Sequence, residues 1–433
     1  MKKVLIICYY WPPAGGPGVQ RWLKFVKYLQ DFDIEPIVYA PQNPNYPIID
    51  EKLVAEIPQG ITVLKQPIAE PYALAKIFSK DKSTTISSGI INEEKKQSIL
   101  ERIMLYVRGN FFIPDARKFW VKPSVNYLSK YLLENPVDAI ITTGPPHSLH
   151  LIGLSLKAKL KTVWIADFRD PWTTIHYHDK LKMNEKARQK HTQLELKVLN
   201  GADQIITTSQ GTKTDFENLT DTPVTCITNG FDDFELKEVK PDTAFTLSHI
   251  GSLLADRNPK ILWETLQELC EEEKGFKEDF KLKLAGKVSS SVLSTIKKYG
   301  LESNLELAGY LTHEEALIAQ RSAQILLLIE SNSIDTKSII PGKVFEYLAA
   351  RRPIIGIGPE NADFFKIVEE THSGKCFDYG EKLALKKAIL AYYRRFLNGS
   401  LPENKTEIQK FSRKFLTNEL ATLIKSCLVK TSV

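Results

Sequence analysis

The sequence predicts an α/β protein made of two consecutive doubly wound halves, each around a parallel sheet. Three observations predict it. The chain opens with an apolar run, a glycine- and proline-rich turn, an amphipathic helix and a second apolar run, which is the crossover unit of a parallel sheet. A second series of the same kind begins near Phe245. Between them, "NGFDDFELKEVKPDTAF" (229–245) has the Asp, Gly, Pro and charge content of an interdomain hinge.

The opening run, Lys2 and Lys3 followed by Val4 to Trp11, mimics a secretion signal. It is short, however, and leads into Pro12, Pro13, Gly15, Gly16 and a helical pattern instead of an Ala-x-Ala-like site. Val4–Tyr9 is therefore expected as a buried first strand. Val19, Trp22, Leu23, Val26 and Leu29 recur at helical spacing, with Lys24 and Lys27 between them. "IEPIVYAP" (34–41) follows as a strand, then "VDAIITT" (137–143), "KTVWIADF" (161–168) and "ADQIITTS" (202–209), separated by helical stretches. Residues 71 to 135 interrupt this rhythm. They include the polar run "SKDKSTTISSGIINEEKKQ" (79–97), expected to be a mobile loop.

In the second half, "FTLSHIGSL" (245–253), "FKLKLAGKV" (280–288), "LELAGYL" (305–311), "AQILLLIE" (323–330) and "RPIIGIGP" (352–359) read as strands. "NPKILWETLQELC" (258–270), "PGKVFEYLAA" (341–350) and "EKLALKKAILAYYRRF" (381–396) read as helices. No repeat of 20–50 residues is present, which excludes a solenoid. Doubly wound halves bind ligands in crevices at the carboxyl ends of their strands.

Bulk properties set limits. The 433 residues, 43% hydrophobic and 25% charged, have ordinary globular composition. At about 100–200 residues per domain, two or three domains are expected. A net charge of +6 and a pI near 8.7 are too mild to imply nucleic acid, and suit a phosphorylated ligand or an anionic membrane surface. Five scattered cysteines form no Cys-x-x-Cys pair, which points to a reducing cytosol. The histidines show no zinc spacing; His176-Tyr177-His178 reads as a polar loop, and no metal site is expected. No apolar stretch reaches the ~18 residues of a membrane span.

Three basic stretches carry two readings each. "ILERIMLYVRGNFF" (99–112) is either a docked amphipathic helix or a membrane-surface helix. "KLKMNEKARQKHTQLELK" (180–197) is either an exposed helix face or a contact with anionic lipid. "RKFWVKP" (117–123) is either interior packing or peripheral membrane contact.

The glycines of the first turn, Gly15, Gly16 and Gly18, lack the Gly-x-Gly-x-x-Gly spacing of a dinucleotide fingerprint, and no P-loop is present. The turn either brings backbone N–H groups to an anion at the helix start or is simply tight. A second turn of this type, Pro341-Gly342-Lys343, precedes a helix containing Glu346. There a helix N-terminus and a cation favour phosphate, and a carboxylate can accept both hydroxyls of a ribose. Alternatively, Glu346 only complements the helix dipole and Lys343 is solvated.

With these residues in place, the chain resembles the group 1 glycosyltransferases, also called glycosyltransferase family 4. The motifs are the opening β–Gly-Gly–α, "TNGFDD" (228–233), "HIGSL" (249–253), "LAG" (284–286), "LAGYLTHEEAL" (307–317) and "PGKVFEYLAARRPII" (341–355), and they span nearly the whole chain. The resemblance implies the GT-B fold: two Rossmann-like domains facing a cleft, with a C-terminal helix crossing back to the first. The expected boundaries are 1–235 for acceptor binding, 236–405 for nucleotide-sugar binding, and 406–433 for the returning helix.

It further implies retaining, metal-independent, cofactor-free transfer of a sugar. The donor is a UDP- or GDP-sugar, the acceptor a glycan or lipid-linked molecule, and the setting cytoplasmic polysaccharide or lipopolysaccharide assembly. Glu346 matches the second Glu of the family's Glu-x7-Glu signature, which holds ribose; the first falls on Ser338. Lys343, with the amides of Gly342 and Val344, would sit near the diphosphate. Of the family's basic pair, the first position is Ser252 and the second is Arg257, beside Gly251. Tyr310, after Gly309, matches the turn that receives the base, and Gly15 and Gly16 belong to the donor set.

In the first half, the family's His near "ADFRDPW" (166–172) is replaced by Asp167, Arg169 and Asp170. These either serve the acceptor or form an Asp–Arg brace. His147, in "TTGPPHSLH" (142–150), either bonds a sugar hydroxyl or caps a turn. Arg257, Lys343, Asp167 and His147 are the expected catalytic set, with no side-chain nucleophile. The alternatives are a GT-B nucleotide-sugar epimerase and, given Ser338 and Ser252, a non-catalytic nucleotide-sugar-binding protein.

Overall fold

The computed structural model describes residues 1–70, 99–175, 181–232, 239–401 and 408–430. The polar run 79–97 and the trio His176–His178 lie outside the described residues. The chain divides into two compact units, Met1–Asn229 with Arg413–Val433, and Gly230–Ser412.

The first unit is built on a seven-stranded sheet in the order β3-β2-β1-β4-β5-β6-β7. Its strands are β1 (Lys2–Ile7), β2 (Ile34–Pro41), β3 (Thr62–Gln66), β4 (Ala139–Gly144), β5 (Val163–Phe168), β6 (Gln204–Thr207) and β7 (Val224–Cys226), and neighbouring strands run parallel. Parallel strands covered on both faces read as unbroken apolar runs. Val4 to Ile7 shows this, being fully buried with alternate residues serving opposite cores. Val4 and Ile6 meet the helix Pro17–Leu29, while Leu5 and Ile7 meet the helices Lys118–Glu134 and Ser148–Leu160. The strand order reverses between β1 and β4, which makes their carboxyl ends a topological switch point.

The last helix, Arg413–Lys430, completes the first unit, not the second. Leu416, Leu420 and Ile424 share a core with Val19, Leu23 and Val26, and the Arg413 guanidinium donates to the Gln20 carbonyl at 2.9 Å.

The second unit has a six-stranded sheet in the order β10-β9-β8-β11-β12-β13. Its strands are β8 (Phe245–Ile250), β9 (Phe280–Ala285), β10 (Leu305–Gly309), β11 (Ile325–Ile329), β12 (Ile354–Ile357) and β13 (Gly374–Phe377). One face packs on the helices Lys260–Glu272 and Lys382–Leu397, the other on Lys343–Ala350 and Asp363–Glu370.

Two sequence expectations shift. The first strand spans Lys2–Ile7 instead of Val4–Tyr9, because Cys8 and Tyr9 stay buried after the ladder ends. Within the interrupting stretch 71–135, the helix expected over 99–112 is observed as Ile99–Phe111, and a second helix, Lys118–Glu134, is not read from the sequence. Within "RKFWVKP", Trp120 is interior, stacked on Tyr39 at 4.9 Å, whereas Phe119 is 50% exposed. Among the described residues no helix is long and apolar enough to cross a membrane.

Candidate functional site

The second unit brings Gly251, Arg257, Lys343 and Glu346 together at the carboxyl end of β8. His249 is wholly buried, with Nδ1 2.9 Å from the Leu327 carbonyl and Nε2 3.3 Å from Lys343 Nζ. A carbonyl accepts only, and the Leu327 carbonyl at 2.9 Å claims the ring proton over the Ser252 carbonyl, 3.4 Å from Nε2, so Nδ1 carries it and Nε2 accepts from the ammonium. Burial and then the Lys343 charge pull the His249 pKa down to about 3, and the ring stays neutral. Burial and then Arg257 lower the Lys343 pKa to about 8, against Glu330 and Glu346, which raise it.

Gly251 makes room for this lysine. At φ 131° its backbone is one that side chains avoid, and a Cβ there would stand 2.3 Å from Lys343 Cε. Arg257 sits on a short turn, Ala255–Arg257, and its Nε is 2.9 Å from Oε1 of Glu330, which is 2% exposed at the end of β11. The Ser331 amide donates to the same oxygen at 2.9 Å.

The helix Lys343–Ala350 points its N-terminus into this cluster. Val344 N–H turns back to the Pro341 carbonyl at 3.0 Å, so Gly342 and Lys343 lead the helix. Glu346, one turn on, is held through Oε2 by the Gln320 amide at 2.9 Å. Tyr310 is 93% exposed after Gly309, whose φ is 66°. Ser252 is exposed and Ser338 half-buried, and neither supplies a charge to the cluster. Two cations, a helix N-terminus and a tethered carboxylate suit a pyrophosphate joined to a diol-bearing sugar.

In the first unit, the residues at the carboxyl ends of β1, β4 and β5 form a tied network. Asp167 is fully buried. Its carboxylate accepts from Arg21 at 2.8 Å, Trp22 Nε1 at 2.8 Å and Thr143 Oγ1 at 2.7 Å. Burial alone would raise its pKa, but the Arg21 charge and these bonds hold it below the usual carboxylate value. The Asp–Arg brace therefore exists, and its arginine comes from the first helix. Arg169 instead donates to the carbonyls of Gly18, at 3.0 Å, and of Pro145. Asp170 is half-buried beside it.

His147 is 5% exposed and stacks on Trp172 at 4.9 Å. It lines a cavity of about 60 Å³ with Arg108, Phe112, Arg117 and His191. Gly15 commits its amide to the Ile48 carbonyl at 2.9 Å, and a Cβ there would meet Ile48 at 2.8 Å. Close packing thus accounts for that glycine. Gly16, at φ 87°, starts the helix.

Sequence reasoning missed Glu330, His249 and Arg21. Their signals were present: an acid closing the run "ILLLI", a histidine two residues before Gly251, and an arginine on an otherwise apolar helix face.

No family model matches the sequence, and no curated protein does. Solved structures do. A glycosyltransferase from Rickettsia africae superposes over 99% of this chain and 98% of its own, at 12% identity and a TM-score of 0.61. Anabaena HepE, in complex with UDP and glucose, covers 100% of this chain and 98% of its own at 13% identity and TM-score 0.55. S. aureus TarM, solved with UDP among its ligands, covers 98% and 100% at 11% identity and TM-score 0.57. The fold is GT-B. Within it, each parallel sheet is one Rossmann-like half, and the helix Arg413–Lys430 is the segment that returns to the first.

Proposed function

We propose that this GT-B protein is a glycosyltransferase. On this reading it moves a sugar from a nucleotide-diphosphate donor, a UDP- or GDP-sugar, to a glycan or lipid-linked acceptor. The observation that carries the reading is the meeting of Lys343, Arg257 and the helix start at Gly342 around Gly251.

Departure of the nucleotide diphosphate builds negative charge on its phosphates. Lys343 and Arg257 stabilise that charge most when it is fully developed, which lowers the barrier. Glu346 holds the ribose and Tyr310 lies against the base. The acceptor hydroxyl attacks the face the diphosphate leaves, and a donor phosphate oxygen takes its proton, so the sugar's configuration is retained and no side-chain nucleophile is required. Fixed cations carry the charge in this scheme, so the transfer proceeds without added metal ion. His147 bonds an acceptor hydroxyl, and Asp167 positions the acceptor side through Arg21. The setting is surface polysaccharide or lipopolysaccharide assembly, with the protein in the cytoplasm and peripherally on the membrane.

A thermal-shift screen against UDP, GDP, ADP and TDP, followed by transfer assays with the matching labelled sugar nucleotides and a lipid-linked acceptor, tests this. Stabilisation by one nucleotide and label transfer support the reading. Nucleotide binding without transfer or hydrolysis establishes an accessory binding protein, the outcome the serines at 252 and 338 favour. No nucleotide binding at all removes the proposal.

A further inference from the structure

The helix Ile99–Phe111 is apolar on two sides. Its inner side, Leu105 and Gly109, closes on Leu181 and Met183. Its outer side is exposed among the described residues: Ile103, Tyr106, Val107 and Phe111 are 54%, 44%, 37% and 64% exposed. At 100° per residue these four span an arc of about 140°. Phe119, 50% exposed, extends the patch through an edge contact with Phe112 at 6.2 Å. Exposed apolar surface of this continuity marks an interaction site.

The exposed charge around it is mostly positive. Between Arg102 and Lys122 the sequence holds five cations, of which Arg117 is buried and paired with Glu70, and one carboxylate, Asp115. That carboxylate turns inward, accepting from the Ser148 amide at 2.9 Å and the Arg117 amide at 2.8 Å. Arg102 and Lys122 are exposed, and Lys118 lies over the Phe112 and Phe119 rings at 5.5 and 5.1 Å. Asn110 ties the start of the next basic stretch alongside, bonding Lys182 O at 3.3 Å and Asn184 N at 2.8 Å. That stretch adds exposed Lys182, Lys186, Arg188 and Lys190 against one exposed acid, Glu185.

We propose that this face docks on an anionic lipid bilayer, with Ile103, Tyr106, Val107, Phe111 and Phe119 at headgroup depth and the flanking cations among lipid phosphates. An apolar stripe bordered by Lys and Arg is the interfacial pattern. A second copy of the chain suits the face less well, since a two-fold contact sets the same cations against one another. Asp115 links the patch to Ser148, next to His147. On the transferase reading, on which this last point rests, the docked membrane therefore delivers a lipid-linked acceptor to the His147 cavity.

Vesicle co-sedimentation tests the surface. The full chain is compared with Ile103→Asp/Phe111→Asp and Arg102→Gln/Lys122→Gln on phosphatidylcholine alone and on phosphatidylcholine mixed with phosphatidylglycerol. The wild type is expected on the anionic vesicles only, with binding that weakens as salt rises. The apolar pair should abolish it, and each lost cation should cost about fivefold. UDP, GDP, ADP and TDP thermal shifts on the same samples report the donor site, and the melts themselves report folding, independently of the vesicles. Failure of the wild type to sediment, or equal sedimentation of the variants, overturns the proposal. So does a concentration-dependent dimer that Ile103→Asp/Phe111→Asp abolishes while vesicles remain unbound. Vesicle binding without any nucleotide shift leaves docking intact and sinks the transferase reading instead.

Discussion

Lys343 Nζ lies 3.3 Å from Nε2 of His249, a buried imidazole whose other nitrogen is tied to the Leu327 carbonyl at 2.9 Å. The pairing gives the ammonium a fixed direction at a neutral acceptor. Burial and then the neighbouring Arg257 charge leave the charge on Lys343 conditional, with a pKa of about 8. A nucleotide diphosphate binds the protonated form. Its affinity is therefore expected to hold below pH 8 and to fall as pH rises through that value, approaching tenfold per unit. The stability of the free protein moves the other way. Because the unfolded lysine binds its proton more tightly, stability at this position rises with pH above about 8. Calorimetric titration of UDP or GDP across this range checks the first sign and thermal melts without ligand check the second. Affinity that does not change with pH removes Lys343 from the donor site.

Gly251→Ala tests the space beneath that lysine. The new methyl would stand 2.4 Å from Nζ on a backbone at φ 131°. The far end of a lysine moves easily, so the fold should survive with a strain penalty of about 1–3 kcal/mol. Lys343 should then be displaced, with donor affinity falling as in Lys343→Ala. A double variant no weaker than either single one, in the same calorimetric assay, is the expected sign that both act on one group.

These relationships show what the sequence could and could not convey. Fully buried parallel strands such as β11 announce themselves as apolar runs, and the Gly-Lys helix start at 342–343 was legible from its composition. The edge strand β3, only half-buried, and the three-residue β7 carry too little apolar pattern to be seen. The site was legible where local chemistry defines it and hidden where partners come from afar. Asp167 was visible, but its arginine is 146 positions away in the chain. Arg257 was visible, but not the Glu330 that anchors it, because β8 and β11 become neighbours only in the sheet.

Arg257→Ala should leave the fold intact and remove most transfer. Its own side chain is 35% exposed, but Glu330 is 2% exposed and loses its cation, so some stability should be lost while the fold is retained. A lost charge-assisted phosphate contact costs about 1.5–3 kcal/mol, or roughly ten- to 150-fold in rate. Arg257→Lys should recover only part of this, because an ammonium cannot bond phosphate through a planar fork. Steady-state transfer kinetics with the donor identified by thermal shift decide the matter. Near-normal turnover by the alanine variant excludes Arg257 from the reaction.

Asp167→Asn should act mainly on stability. The carboxylate and Arg21 are 0% and 2% exposed at the side chain, and three donors converge on the one acid. Removing one partner of a buried pair leaves the other charge uncompensated, at a cost of about 3–5 kcal/mol. The pH dependence follows from the depressed pKa. The stabilisation is complete above the ordinary aspartate value and is lost as pH falls through the lower, folded-state one. Denaturant melts of the wild type should therefore show an acid-side loss that Asp167→Asn lacks. Nucleotide affinity, which the proposed donor site assigns to the second unit, should be unchanged in that variant at neutral pH. A variant as stable as the wild type, with transfer abolished, would instead place Asp167 in contact with the acceptor.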